Sequence, residues 1–291
     1  MKVAVHGKEF SPENADAIQL FFDMIDAKQG SKFISNDFLD ILKQSSINIG
    51  EYNSFGRGED LGYADIMFTL GGDGTLLDAI TYIAGGNVPI LGINTGRLGF
   101  LATISKESIA SALDAVFEGA FTYDERTLVS LSSDQNLFNG VNFGLNDFTI
   151  LKRDSSSMIV VHTYINGEFL NSYWADGLIV STPTGSTGYS LSCGGPLVLP
   201  QSNNFILTPV SPHNLTVRPL VVSDDCEISF KIEGRSNNFL ISLDSRFEIV
   251  DASVNLTVNK ASFRARLVKL NNSSIFDTLR QKLNWGLDVR N

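Results

Sequence analysis

The stretch Thr69-Leu70-Gly71-Gly72-Asp73-Gly74-Thr75-Leu76-Leu77 limits the folds open to this chain more than any other. The apolar run Asp65–Leu70 predicts a buried strand, and the apolar spacing over Thr75–Ala84 predicts a helix. A strand passing into a helix through so short a turn is a βα unit, which needs a parallel sheet with covering helices. Glycine in such a turn permits positive φ and lets a ligand approach the backbone. The helix start offers unpaired N–H groups and a dipole that favours phosphate. No Gly-Lys-Ser or Gly-Lys-Thr follows, so this is not a P-loop, and Leu77 stands where a dinucleotide fingerprint needs its third glycine or alanine. An acid between glycines at a phosphate site is costly unless it binds a metal or takes a proton. Asp73 is therefore the candidate catalytic base, with Gly71, Gly72, Gly74 and Thr75 as candidate phosphate ligands. A tight turn capped by Asp73 is the purely structural alternative.

The pattern around this turn agrees with a parallel sheet. Lys2–His6 predicts a strand, Ser11-Pro12 a helix start followed by Ile18, Leu20, Phe21, Met24 and Ile25, and Ser35–Leu42 a short helix. Val88–Ile93 predicts the next strand, and Ser105–Phe117 a helix with Ile109, Leu113, Val116 and Phe117 on one face. From about Phe121 the period becomes two: Cys226, Ile228, Phe230 and Ile232 alternate with polar residues, as do Val254, Leu256 and Val258. Strands of that kind have one buried face and one wet face, as antiparallel sheets do. Asn166-Gly167 between two β-rich runs signals a type I′ hairpin. The expected architecture is an α/β domain with a parallel sheet over residues 1–120, then a mostly antiparallel β domain over 121–270. A closing helix within 271–291, predicted at Ile275–Leu283, would return to the first domain.

Four more segments hold candidate chemistry. Asp176–Ser190 runs from a short apolar strand into a loop dense in hydroxyls and glycines, suited to reading sugar and base edges or to capping a turn. Leu145-Asn146-Asp147-Phe148 puts an amide beside an acid, which can take a ribose and a base together; on its own the pair reads more readily as a solvated turn or strand end. In Asn94–Leu101 two glycines bracket Arg97, the only cation near the proposed phosphate site, and Phe100 can pack on a planar ring, or the segment is a plain loop with a core Phe. Pro209–Asn214 is a stiff turn presenting His213, or a plain strand connection.

The formal net charge of −10 argues against a nucleic-acid binder, which would carry a basic face. Such a chain binds an anionic nucleotide locally, through backbone N–H groups, a few cations or a metal ion. Cys193 and Cys226 fit no CxxC spacing, and Lys8 and Glu9 stand where a signal peptide needs an apolar run. No stretch approaches the ~18 apolar residues of a membrane helix. The expectation is a cytoplasmic protein that binds neither nucleic acid nor membrane.

Together these motifs resemble the NAD kinase family. Gly71–Thr75 is shared with a wider superfamily that includes diacylglycerol kinases and 6-phosphofructokinases. Asp176–Pro196 and Ser211–Val221 are much more specific, and Phe276–Gly286 resembles the family's ending. The resemblance runs from about Val3 onward, most strongly from Ala64. It implies an α/β domain, a β domain and a substrate lying between them. It implies phosphorylation of the adenosine 2′-hydroxyl of NAD by ATP, with Mg²⁺ or another divalent cation and no metal site built by side chains alone. By the same resemblance Asp73 meets the 2′-hydroxyl. Gly74, Phe100, Asn146, Asp147, Asp176, Thr184, Thr187, Gly188, Tyr189, Ser192 and Asp244 line the NAD pocket, and Arg97 joins the phosphate ligands. It further implies a homotetramer in which the Ser211–His213 turn reaches a neighbouring subunit's site. Two positions depart from the family: Asp147 where Glu is more frequent, and Asp244-Ser245-Arg246 where Asp-Gly or Asp-His is common. Rival readings are a lipid or sugar kinase of the wider superfamily and a non-catalytic NAD(P)-binding sensor.

Overall fold

The computed structural model describes residues 1–83, 85, 87–96, 99–153, 158–270 and 274–284. The chain forms two compact units. One comprises Met1–Asp124 with Arg266–Asn291, the other Glu125–Ala265.

The first unit is α/β. Its elements are β1 (Lys2–Gly7), α1 (Ala15–Ala27), β2 (Ser31–Ser35), α2 (Asn36–Lys43), β3 (Asn53–Phe55), β4 (Ile66–Leu70), α3 (Asp73–Ile80), β5 (Ile90–Asn94), β6 (Ile104–Ser105) and α4 (Ile109–Phe117). The sheet order β5-β4-β1-β2-β3 is parallel throughout, as the strand–helix alternation predicts. Leu70 is held in register with Gly7 and Ile93, which leaves the glycine turn at the C-terminal edge of the sheet. In an open α/β sheet that edge is where ligands bind. α1 packs Ile18, Phe21, Phe22 and Ile25 into a core with Phe68 and Leu113, while Leu20 is exposed. Ser35 caps α2 by accepting from Phe38 N. α3 begins at Asp73 and ends at Ile80, two residues earlier at its start than the apolar spacing predicts and short of residue 84, which lies outside the described residues.

The second unit is built of β8 (Phe143–Gly144), β9 (Asp147–Lys152), β10 (Ile159–Ile165), β11 (Glu168–Ala175), β12 (Gly177–Ser181), the short helix α5 (Tyr189–Ser192), β13 (Asn204–Val210), β14 (Leu220–Ser223), β15 (Ile228–Gly234), β16 (Asn238–Leu243) and β17 (Arg246–Asp251). Two long strands run through both units: β7 (Phe121–Ser133) and β18 (Leu256–Leu270). β11-β10-β15-β18 pair antiparallel in that order, as do β14-β13-β12-β9-β16-β17. Ile228, Phe230 and Ile232 are buried while Lys231 and Glu233 are exposed, so the period-two pattern marks the inner face. Phe148 and Phe230, from different sheets, meet at 5.9 Å in a shared core. Asn166 and Gly167 both take positive φ at the β10–β11 hairpin, as their sequence requires. After β18 the chain turns into α6 (Ile275–Leu283), capped by Ser274.

Candidate active site

In the first unit the glycine turn is arranged around Asp73. Gly71 has φ +154, and a Cβ there would stand 2.2 Å from Thr75 Oγ1, so only glycine lets Thr75 fold back over the turn. A Cβ on Gly72 or Gly74 would meet nothing within 4 Å, so these two backbones face open space. A phosphate approaching helix N–H groups needs that geometry.

The Asp73 carboxylate is held by the segment after β5. Its Oδ2 accepts from Phe100 N at 2.7 Å, and its Oδ1 accepts from Leu101 N at 3.0 Å and Ala102 N at 2.9 Å. A Cβ on Gly99 would lie 1.7 Å from Oδ1, so the close approach depends on glycine at 99. Asn94 braces the same segment, donating to Ala102 O and accepting from Gly96 N. Two carboxylate oxygens offer about four lone-pair sites. Three are filled by amides, and among the described residues no donor is recorded for the second site on Oδ2. Arg97 lies outside the described residues.

Sequence reasoning missed a second polar group along α3. Asp78 accepts from Arg57 Nη2 at 3.0 Å, bonds His6 Nε2 at 3.1 Å and lies 3.8 Å from Lys8 Nζ. Burial works to raise the Asp78 carboxyl, but the His6 hydrogen bond and the charges of Arg57, His6 and Lys8 bring it down to about 2. Arg57 also donates to Thr81 Oγ1 and Asp37 and stacks on the Tyr82 ring. Lys8 and Arg57 are thus cations near α3 that the sequence reading did not name. No local motif marks them, because loops after different strands bring them together.

In the second unit the Asn146–Asp147 pair and the Thr182–Tyr189 loop form one constellation. Thr182 donates through its amide to Asn146 O at 2.8 Å and through its hydroxyl to Leu145 O at 2.5 Å. A Cβ on Gly185 would sit 2.1 Å from Asn146 O, so the two segments pack backbone on backbone. Gly188 faces the Asn146 amide and the Asp147 carboxyl, since a Cβ there would stand 3.7 Å from Asn146 Nδ2 and 3.9 Å from Asp147 Oδ2. Next to it, Tyr189 is partly exposed, and its hydroxyl is pushed up by burial, Cys193, and the charges of Asp147 and Asp176. Asp176 is paired with Lys152 at 2.6 Å. Asp147 is buried, and burial, then the nearby Asp244, raise its carboxyl to about 8.

The remaining sequence candidates divide into two groups. Thr184 is buried and accepts from Arg126 Nη1 at 3.2 Å, and Thr187 donates back to Thr184 O, so both hydroxyls have structural partners. Ser192 is exposed at the end of α5. Ser211, with φ +46, and His213 lie in an exposed turn after β13 whose recorded anchor is His213 N donating to Trp174 O. Asp244 accepts from three backbone amides, those of Leu145, Asn146 and Asp147. Among the described residues no three of His, Cys, Asp and Glu gather as a metal-ligand set. Among the described residues no helix is long and apolar enough to cross a membrane. A cavity of about 670 Å³ in the first unit, lined by Asp26, Lys32 and Tyr52 among others, opens at the N-terminal ends of β2 and β3 and contains none of these candidates.

Known proteins match this chain over its whole length. Residues 29–121 match the ATP-NAD kinase N-terminal domain and residues 145–270 the ATP-NAD kinase C-terminal domain. The chain is 54% identical to the NAD kinase of Cytophaga hutchinsonii and 43% identical to that of Flavobacterium psychrophilum, covering 100% of both chains in each case. Among solved structures, an NAD kinase from Archaeoglobus fulgidus in complex with ATP superposes with a TM-score of 0.69 at 26% identity, over 98% of this chain and 99% of that one. Yeast NADH kinase complexed with NADH shares the fold with a TM-score of 0.85 at 23% identity, over 99% of this chain and 89% of that one. The chain belongs to the NAD kinase family and is an enzyme that phosphorylates NAD.

Proposed function

We propose that the chain transfers the γ-phosphoryl group of ATP to the adenosine 2′-hydroxyl of NAD, giving NADP and ADP. The observation that carries this reading is the Asp73 carboxylate, fixed by three amides beside two open glycines, with only one donor to Oδ2 among the described residues, so that this oxygen can accept from a substrate hydroxyl. The hydroxyl proton passes to Oδ2 as the 2′-oxygen bonds to the γ-phosphorus, and the bond from that phosphorus to the ADP oxygen breaks. The amides of Gly71, Gly72, Gly74 and Thr75 and the guanidinium of Arg97 take the phosphates. Such a transfer is driven mainly by positioning and charge neutralisation.

Mg²⁺ fits this set of residues as a metal carried by the nucleotide. It usually keeps several waters and binds through substrate phosphates with few carboxylates, and no dedicated side-chain ligand set is found among the described residues. When bound, it neutralises charge on the transferring phosphates.

Asn146, Asp147, Asp176, Thr187, Gly188, Tyr189 and Ser192 hold the NAD in this reading, with Thr184 and Asp244 behind them and Phe100 packing on a ring. Ser211 and His213 face the site of a neighbouring subunit in a cytoplasmic homotetramer. Support for that is the stiffness of the Pro-flanked turn and its exposure. NADP formation from NAD, ATP and Mg²⁺ tests the activity, with diacylglycerol as rival acceptor. NADP formation absent in wild type, or unaltered in Asp73→Asn, would overturn the chemistry. Light scattering tests the tetramer. Mixing Asp73→Asn with His213→Ala tests the shared site, because sites carrying neither lesion should regain activity after subunit exchange. Activity equal only to the sum of the parents would refute sharing.

A further inference from the structure

We propose that Asp244 is a positioning residue for NAD: its carboxylate clamps three successive amides and so sets the direction of the Asn146 and Asp147 side chains. This rests on the reading above that Asn146 and Asp147 grip the nucleotide. β16 and β17 close a hairpin in which Leu243 pairs with Arg246, leaving Asp244 and Ser245 as the two turn residues. Asp244 has φ +53, a conformation that glycine, asparagine and aspartate tolerate in two-residue turns. The backbone alone would be content with glycine or asparagine there, so the carboxylate needs its own explanation.

Its contacts supply one. Oδ2 accepts from Leu145 N at 2.8 Å, and Oδ1 accepts from Asn146 N at 2.7 Å and Asp147 N at 3.2 Å. In return Asp244 N donates to Asp147 O at 3.0 Å. Arg246, on the same hairpin, donates its guanidinium N–H groups to the carbonyls of Val141 and Phe143. The hairpin tip therefore grips the backbone on both sides of Gly144, where a Cβ would come within 3.0 Å of Asp244 Oδ1. Backbone fixed this tightly holds the Asn146 amide and the Asp147 carboxyl facing Gly188. Without the clamp, both side chains would have to be ordered again each time NAD bound, which weakens binding.

The clamp also acts on charge. Asp244 adds to the burial that raises the Asp147 carboxyl to about 8, which favours its protonated form at neutral pH. The Asp147 charge acts in turn on Tyr189 and Cys193 of the α5 segment. Burial raises the Asp244 carboxyl too, against its three amide bonds and the Arg246 charge, which lower it. Removing the Asp244 charge shifts the Asp147 titration to lower pH.

Steady-state kinetics on the full chain test the proposal, together with NAD affinity followed from pH 5 to 9. Asp244→Asn keeps the shape, removes the charge and turns one acceptor into a donor facing an amide. The expected result is a KM for NAD about tenfold higher, an unchanged KM for ATP and a pH step in NAD affinity moved down from about 8. Wild-type KM for NAD with an unmoved step overturns the proposal, as does a uniform loss across kcat and both KM values. If Asp244→Asn does not fold, Gly144→Ala presses on the same carboxylate and is read the same way: a selective rise in KM for NAD supports the clamp, and its absence overturns it. Asn146→Ala separates the two levels. Unchanged NAD affinity in that variant overturns the substrate reading itself, whereas weakened affinity in Asn146→Ala beside wild-type behaviour in Asp244→Asn overturns only the clamp.

Discussion

Replacing Gly99 by alanine places a methyl group where the base now sits. The added Cβ would lie 1.7 Å from Asp73 Oδ1 and 2.4 Å from its Cγ. Real contacts of this kind stay at or beyond 3.0 Å, so the carboxylate or the segment that binds it must withdraw by more than an ångström. The side chain of Asp73 is short and begins α3, so it has little room to adapt without surrendering its amide bonds. A displacement of about 1 Å at a reacting group can cost ~10²-fold in rate. Complete loss of a general base costs ~10²–10⁴-fold. We therefore expect kcat for NADP formation to fall about 10²-fold in Gly99→Ala, with NAD and ATP affinities changed far less. Gly96→Ala, in the same loop, is the control: among the described residues its Cβ would come no nearer than 4.0 Å to a neighbour, the Asn94 Oδ1. A coupled NADP assay with calorimetric binding of each substrate resolves the two variants. Equal kcat in wild type and Gly99→Ala would show that the placement of the Asp73 carboxylate does not govern the reaction.

Three further outcomes follow from the buried carboxyls and the amide pair. Asp147 is raised to about 8 from an ordinary value near 3.8, so the folded state holds a proton that the unfolded chain has released. Stability contributed by that proton is intact below the unfolded value and lost as pH rises through the folded one, with a slope of up to ~1.4 kcal/mol per pH unit. Urea unfolding from pH 5 to 9 should show this fall, and Asp147→Asn should flatten it; an equal slope in both proteins refutes the assignment. Asp78, depressed to about 2, acts in the opposite sense, contributing stability above pH 4 that disappears as pH drops through 2. Asp78→Asn should cost about 2 kcal/mol at neutral pH, and the difference from wild type should vanish in acid. Asn146→Ala should weaken NAD binding by about 1–3 kcal/mol, the cost of a buried polar group left unpaired, measured by calorimetry.

What could be read from sequence was local. The βα unit at Leu70–Asp73 and the Asn166-Gly167 hairpin are decided by residues within a few positions of each other, and both form as expected. β2 and β3 escaped because Ser-Lys-Phe-Ile-Ser and Asn-Ser-Phe show neither alternation nor an apolar run. The lysine in β2 is buried all the same, since Lys32 reaches Asp26 at the end of α1. The candidate residues were likewise visible as types, but not as partners. The amides that bind Asp73 lie 27–29 residues downstream, and those that bind Asp244 lie 97–99 residues upstream. Single-sequence patterns carry no signal over such separations. The long contacts turn Asp73 and Asp244 into fixed points of the fold.

The passage of β18 through both units has a consequence for how the protein is made. Ile90, in β5, pairs with Leu267, whereas the other parallel partners, β6 included, are complete by Ser105. At ~5–20 residues per second a ribosome needs roughly ten to forty seconds to travel from one to the other. During that interval the Ile90 end of β5 has no neighbour on that side, and an open strand edge invites pairing with other chains. The first unit is therefore the first to begin folding and among the last to close, and a nascent chain stalled inside the second unit is the species most exposed to aggregation.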